Sequence, residues 1–131
     1  MREIEFRGFS QGNLFDGEKW VYGDLVCDSF NGDFNVSAGI RSTGCYPIGV
    51  NPDSVGQFTG LTDKNGVKIF EGDCGYLKNG KELMVVEWSE QGCYKIQSPK
   101  NKMHGLLFCD FDPNKFEVVG NIFQNPELIF A

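Results

Sequence analysis

The sequence predicts a mainly-β fold: a small antiparallel barrel or sandwich with long loops and at most one or two short helices. The chain of 131 residues has 17 glycines and 12 phenylalanines, whereas glycine averages about 7% of residues in proteins. Glycine allows positive φ at turns, and aromatic residues favour strands. Apolar residues also alternate with period two far more often than with the helical period of about 3.6. The length suits a single domain over residues 1–131.

The N-terminal part contains two predicted strands and a weakly patterned segment. Ile4 and Phe6 alternate with charged residues, and a second strand covers residues 20–26 after a turn at Asp16-Gly17. Residues 28–52 are loop-rich, with short strands expected around 35–38 and 46–50. This segment gives the least clear pattern in the chain.

The remaining strands follow one another at short intervals, separated by turns. In the turn Asp63–Gly66, Asp63 is expected to accept backbone N–H groups, and Asn65-Gly66 tolerates left-handed φ. Gly72-Asp73 before a strand is typical of an SH3-like element in the C-terminal half, a fold analogy that carries no function. The predicted strands cover residues 56–61, 67–73, 74–78, 83–88, 94–97, 106–111 and 116–119.

Two short helices are predicted near the C-terminus. Asn125-Pro126-Glu127 combines an N-cap residue, a proline in the first turn and an acidic residue that suits the helix dipole. A second short helix is expected at Pro113–Lys115 after the cap residue Asp112.

The charge disfavours nucleic acids and membranes as partners. Acidic residues number 18 against 12 basic ones, so the net charge is −6. Proteins that bind a duplex gather Lys and Arg on one face, whereas here the densest cluster has three lysines in residues 95–102, interpreted as a solvated loop. The N-terminus has no apolar signal segment, and no apolar run approaches the roughly 20 residues that span a bilayer. We therefore expect a cytosolic protein without membrane contact.

The cysteines do not form a recognisable framework. Their number is odd, no CxxC pair or local zinc-ligand pair occurs, and a reducing cytosol disfavours disulfides. We interpret each of them as a buried structural thiol. They are Cys27, Cys45, Cys74, Cys93 and Cys109.

One pair of residues has the chemistry of a nucleophilic dyad. His104 is the only histidine, and Cys109 follows five residues later. A nearby base turns a thiol into a thiolate, but odd spacing in a strand places side chains on opposite faces. We interpret His104 as a surface or loop residue.

Asp110, Asp112 and Asn114 have the spacing of the first calcium ligands in an EF-hand loop. The pattern then fails, because Lys115 stands where the sharp turn needs glycine and Asn121 stands where a bidentate glutamate is needed. We interpret these residues as solubilising and capping groups. The sequence therefore predicts no catalytic, cofactor-binding or metal-binding residue.

The aromatic residues are many for one small core. Most are expected in the core, while a surplus on the surface indicates a contact with a partner. This favours a non-enzymatic protein-interaction or assembly module that forms a homo-oligomer. The aromatic residues concerned are Phe6, Trp20, Tyr22, Phe58, Phe70, Trp88, Phe108, Phe111, Phe116 and Phe123.

Four segments carry a resemblance to a known family: the opening MREIEFRG, residues 55–73, the strand Val85-Val86-Glu87, and residues 118–129. In content, order and spacing they resemble the YopX family, small proteins of unknown function encoded by bacteriophages and prophages. Residues 29–52 carry no such resemblance. The resemblance implies a phage or prophage origin, the cytosol of a bacterial host and self-association, and it supplies no catalytic residues.

Two alternatives to an assembly module remain open. One is a nucleic-acid-associated small β-barrel in phage regulation, suggested by the SH3-like element. The other is an enzyme of unidentified class, which a concave pocket with convergent titratable groups would indicate. A host or phage protein is an alternative partner to a second copy of the chain.

Overall fold

The computed structural model describes residues 3–10, 17–29, 36–41, 48–77, 80, 82–101 and 103–130. These residues form two compact units, Met1–Phe58 and Thr59–Ala131. Their strands are β1 (Phe6–Ser10), β2 (Lys19–Ser29), β3 (Val36–Arg41), β4 (Ile48–Val50), β5 (Gly56–Thr62), β6 (Lys68–Phe70), β7 (Asp73–Leu77), β8 (Met84–Trp88), β9 (Tyr94–Gln97), β10 (Gly105–Leu107) and β11 (Phe116–Asn121).

In the first unit, the strands are antiparallel and ordered β4-β3-β2-β1-β5. Val21, Ile40 and Val50 form its buried core. Gly8 allows β1 to pack closely, because a Cβ at this position would lie 2.6 Å from a methyl group of Val50. The burial along β1 does not follow the predicted alternation, because Ile4 before it is exposed whereas Arg7 is buried.

In the second unit, an antiparallel sheet has the order β10-β9-β8-β7-β11. Strand β6 follows the Asp63–Gly66 turn and pairs with β5. The buried core contains Ile69, Met84, Val86, Tyr94, Ile96, Phe108 and Phe116.

The predicted mainly-β, antiparallel fold with only short helices is confirmed. The two helices predicted near the C-terminus are present as Pro113–Lys115, a 3-10 helix, and α1 (Glu127–Phe130). A further 3-10 helix, Pro52–Ser54, was not predicted. It begins with the same Asn-Pro signal, since the side chain of Asn51 accepts a hydrogen bond from the Asp53 N–H at 2.9 Å. Within the described residues, no helix has the length and apolar character that crossing a bilayer requires.

Three strand boundaries were predicted wrongly. The N-terminal strand was expected around Ile4 and Phe6, but β1 runs from Phe6 to Ser10. The strand expected over residues 67–73 ends at Phe70, because residues 71–72 form a turn with Gly72 at positive φ. The apolar run suggested a strand over residues 106–111, but β10 ends at Leu107. The Asp110 N–H donates to the Leu107 carbonyl at 2.9 Å, which closes a turn there. The strands expected at 35–38 and 46–50 are found at Val36–Arg41 and Ile48–Val50, and the residues between these two strands lie outside the described part of the chain.

Candidate functional site

Strand β10 has an open side. It lies at one edge of the five-stranded sheet and pairs only with β9 among the described strands, with Leu106 opposite Ile96. The pairing continues beyond the strand at both ends, because the Phe108 N–H donates to the Tyr94 carbonyl at 2.9 Å and the Ser98 N–H to the His104 carbonyl at 2.9 Å.

These bonds fix the direction of the backbone groups along β10. Hydrogen-bonded and non-hydrogen-bonded pairs alternate in an antiparallel ladder, so Leu106 directs its N–H and C=O towards β9. Gly105 and Leu107 direct theirs away from β9, to the open side. An open row of this kind is a template for pairing with another strand.

Large apolar side chains surround the open edge. Trp88 is 52% exposed, Met103 89% and Leu106 40%. The Trp88 ring packs edge-on against Tyr94, with centroids 4.9 Å apart, so its exposed face is held in place. Exposed apolar residues that cluster in this way mark contact surfaces.

Two hollows border the same edge. One, of about 430 Å³, is lined by Leu77, Met84, Met103, His104 and Leu106. The other, of about 630 Å³, is lined by Glu87, Lys95, Gln97, Met103 and Leu107. Because side chains alternate along a strand, Leu106 and Leu107 lie on opposite faces of the sheet. Leu106 lines both hollows, whereas Leu107 lines only the second. A strand added to this edge would direct alternate side chains to the two hollows.

The turn that precedes β10 is held by a network of hydrogen bonds. The Gln97 side-chain amide donates to the carbonyls of Asn101 at 3.1 Å and His104 at 3.0 Å. The Ser98 hydroxyl accepts from the Asn101 N–H at 3.2 Å. Glu82 contacts His104 Nδ1 at 2.7 Å. The edge strand is therefore preorganised.

Charges at the edge are largely paired. Hydrogen bonding from Ser98, followed by that from His104, lowers the pKa of Glu82. On the outer face, Lys95 Nζ lies 3.3 Å from a carboxylate oxygen of Glu87. Paired charges reduce the desolvation cost of covering this surface.

The opposite edge of the same sheet, β11, is covered by the chain itself. The Lys64 N–H donates to the Phe116 carbonyl at 3.0 Å, and the Val118 N–H donates to Asp63 Oδ2 at 3.0 Å. A register shift between Val118 and Gly120 distorts the strand further. Bulges and covering turns are devices that protect sheet edges. Among the described residues, the backbone groups of Gly105 and the Leu107 N–H have no such cover, whereas the Leu107 carbonyl accepts from the Asp110 N–H at 2.9 Å.

The structure does not bring His104 and Cys109 together. His104 precedes β10 and faces Glu82, whereas Cys109 follows β10 and its thiol lies 4.0 Å from Asp110 Oδ1. The predicted surface position of His104 is confirmed.

Asp112, one of the acidic residues after β10, acts as a capping group, as the sequence predicted. Asp112 Oδ1 accepts from the Asn114 N–H at 3.0 Å and caps the helix Pro113–Lys115. Among the described residues, no three His, Cys, Asp or Glu side chains are grouped as metal ligands would be.

The prediction that every cysteine is buried is correct for one thiol and wrong for another. Cys74 is buried, and burial, followed by Asp73 and Glu127, raises its pKa to about 11. Cys109 is exposed and Cys93 is half-buried, because the turn after Leu107 takes Cys109 out of the sheet. The side chain of Cys27 and all of Cys45 lie outside the described part of the chain.

Most of the aromatic residues are buried or partly buried, as predicted. Tyr22 and Trp88 are the exceptions among those singled out in the sequence. The contribution of Trp88 to an exposed patch could be suspected from the surplus of aromatics, but its position at the β10 edge could not.

These features define a small, antiparallel, mainly-β protein with an open sheet edge at β10, flanked by apolar side chains. The family described as YopX protein matches residues 5–130, so the chain belongs to the YopX family. No curated protein matches it at a significant level.

Proposed function

We propose that this protein is a non-enzymatic assembly module that binds a second copy of itself through the open edge of β10. The observation that carries the proposal is the set of outward backbone groups at Gly105 and Leu107, flanked by exposed Trp88, Met103 and Leu106. The covered state of β11 favours β10 as the pairing edge of this sheet.

The edge is self-complementary in an antiparallel arrangement. With a two-fold axis at Leu106, the Leu107 N–H of one copy donates to the Gly105 carbonyl of the second copy. The Gly105 N–H donates to the second lone pair of the Leu107 carbonyl, whose first lone pair accepts from the Asp110 N–H. Such an isologous contact is the commonest type in soluble oligomers. The Leu106 side chains of the two copies then face each other in a non-hydrogen-bonded pair, where Cα atoms lie about 4.5 Å apart.

Hydrogen bonds alone would not hold so short a pairing. Each contributes about 1 kcal/mol net, which is small against the cost of association. Burial of the exposed apolar side chains supplies the rest, at about 25 cal/mol per Å². The proposal therefore requires both the open backbone and the apolar residues beside it.

The proposal includes a phage or prophage origin and a cytoplasmic location in a bacterial host. The family resemblance of the opening, central and closing segments supports this setting. A host or phage protein in place of a second copy would use the same edge by adding one of its own strands.

The test is the molar mass of the wild type and of two lysine variants, measured by light scattering and sedimentation over a range of concentrations. We expect a dimer for the wild type. Leu106→Lys should give a monomer, because two like charges would meet at the axis. Val119→Lys is the matched control, since Val119 is 45% exposed on the covered strand β11, and it should stay dimeric.

A mixing experiment tests whether the two-fold axis passes through Leu106. Leu106→Glu alone should also be monomeric, whereas an equimolar mixture of Leu106→Glu and Leu106→Lys should form a heterodimer through opposite charges. A wild type that is monomeric at every concentration would overturn the proposal, as would a mixture that stays monomeric. Equal unfolding temperatures of the variants check that all of them fold.

A further inference from the structure

Two accessible cysteines lie at the same end of the β9–β10 hairpin. Cys93 directly precedes β9, and Cys109 follows β10 by two residues. The hydrogen bond from the Phe108 N–H to the Tyr94 carbonyl extends the ladder by one pair. Cys93 and Cys109 each adjoin this bonded pair, at the end where the chain turns after Leu107.

The spacing of the two strands beside Cys93 and Cys109 suits a disulfide. Tyr94 and Phe108 form a hydrogen-bonded pair, so Cys93 and Cys109 adjoin a point at which the Cα atoms of the two strands are about 5.5 Å apart. Disulfides span Cα separations of about 4.4–6.8 Å. The two thiols lie close enough to interact: burial, followed by the charge and hydrogen bonding of the neighbouring Cys109 thiol, raises the pKa of Cys93.

We propose that Cys93 and Cys109 form a reversible intramolecular disulfide that ties the two strands of the β9–β10 hairpin. The oxidant is a low-molecular-weight disulfide such as oxidised glutathione. This inference goes beyond the proposed assembly function, because the bond forms within one chain whether or not a second copy is bound.

The reaction proceeds by two thiol–disulfide exchanges. The thiolate of Cys109, the more exposed residue, attacks one sulfur of oxidised glutathione, and one glutathione leaves as a thiolate that takes up a proton. Cys93 then loses its proton and attacks the Sγ of Cys109 in the mixed disulfide, which releases the second glutathione. Two protein thiols are oxidised, one glutathione disulfide is reduced to two thiols, and the protons lost by the cysteines end on glutathione.

The third described thiol does not compete. Cys74 is buried in the core strand β7, where a small disulfide does not reach it. Thiolate is the attacking species, so its pKa of about 11 also keeps it unreactive. Cys74 therefore serves as an internal control for exposure of the core.

The test is oxidation of the folded, reduced full chain with oxidised glutathione at mildly alkaline pH. The mixture is then denatured, alkylated and read by intact mass and peptide mapping. We expect a product lighter by two hydrogen atoms before alkylation, with Cys93 linked to Cys109 and the other three thiols alkylated. Reduction with dithiothreitol should restore all five thiols.

Variants locate the bond. Cys93→Ser should stop at a stable mixed disulfide on Cys109, and Cys74→Ser should oxidise as the wild type does. A wild type that stops at the mixed disulfide would overturn the proposal, as would a link to any other cysteine or a covalent dimer on a non-reducing gel. The Leu106→Lys variant should oxidise normally even as a monomer, which keeps this test separate from that of assembly.

Discussion

Asp63 shows how one buried carboxylate organises a turn and a sheet edge together. It is 2% exposed, and its Oδ1 accepts from the N–H groups of Asn65 at 2.8 Å and Val67 at 2.9 Å. Its Oδ2 accepts from the Val118 N–H. The two bonds within the turn are the ones that the Asp-Lys-Asn-Gly pattern predicted, whereas the bond to β11 depends on the fold.

We expect Asp63→Asn to destabilise the protein by about 3 kcal/mol, because the amide presents a donor to at least one backbone N–H that then stays unsatisfied. Urea denaturation measures the change. The control is Asp53→Asn, since Asp53 is exposed, and it should change stability by less than about 0.5 kcal/mol. Equal effects of the two substitutions would show that the Asp63 bonds contribute little.

The contribution of Glu82 to the stability of the turn before β10 depends on pH. Hydrogen bonds from Ser98 and His104 lower its pKa in the folded protein, so its contribution to stability is present above the unfolded pKa of about 4.3 and is lost as the pH falls through the lowered folded value. We expect the wild type to melt at a higher temperature than Glu82→Gln at neutral pH. This difference should shrink in acid, measured by thermal unfolding across the pH range. Glu90→Gln, at an exposed carboxylate, should show no such dependence.

At the scale of the secondary-structure elements, strands β7 and β11 pack closely because Gly75 has no side chain. A Cβ on Gly75 would lie 1.9 Å from the Glu117 carbonyl oxygen and 3.0 Å from the Phe116 ring. A backbone oxygen cannot move away as a flexible side chain can. Gly75 therefore sets the close pairing of these two strands, which places β11 beside the Asp63 turn.

Gly75→Ala should therefore cost about 3 kcal/mol through overpacking. Gly49→Ala is the control, because nothing lies within 4 Å of a Cβ there, and it should leave stability within about 0.5 kcal/mol of the wild type. Chemical denaturation of both variants gives the comparison. Unchanged stability of Gly75→Ala would mean that β7 and β11 separate at low cost.

Short sequence patterns predicted most of the strands and helices, but the order of the strands in the sheets could not be predicted from them. The Asp63 turn and the cap at Asp112 rest on side-chain bonds to nearby backbone, so the sequence alone revealed them. The end of β10 was missed because Phe108 continues the apolar run although the chain turns after Leu107. Which edge stays open depends on contacts between distant residues, such as that of Asp63 with Val118, and no spacing in the sequence records them.

The cysteine pair illustrates the same limit. Cys93 and Cys109 lie far apart in sequence and show no motif, so each was interpreted as an isolated buried thiol. Their proximity follows only from the register of β9 and β10 and from the hydrogen bond between the Phe108 N–H and the Tyr94 carbonyl. The site could be found once that register was known.

At the scale of the whole molecule, the net charge of −6 makes two copies repel each other. Salt screens this repulsion, with a Debye length of about 8 Å at physiological ionic strength. We therefore expect self-association to strengthen a few-fold between low and moderate salt, measured by sedimentation equilibrium. Binding to nucleic acid would weaken over the same range. The direction in which affinity changes with salt therefore distinguishes assembly from the nucleic-acid alternative. Association that weakens with salt would indicate ion pairs rather than apolar burial at the contact.

The covered edge of β11 has a consequence for how far such a contact can propagate. A sheet that offers pairing groups on both sides can add molecules indefinitely and grow into a fibre. Here one side is occupied by the chain's own Asp63–Lys64 turn, so joining two molecules through β10 leaves this sheet no free end for a third. We therefore expect growth along this sheet to stop at two molecules.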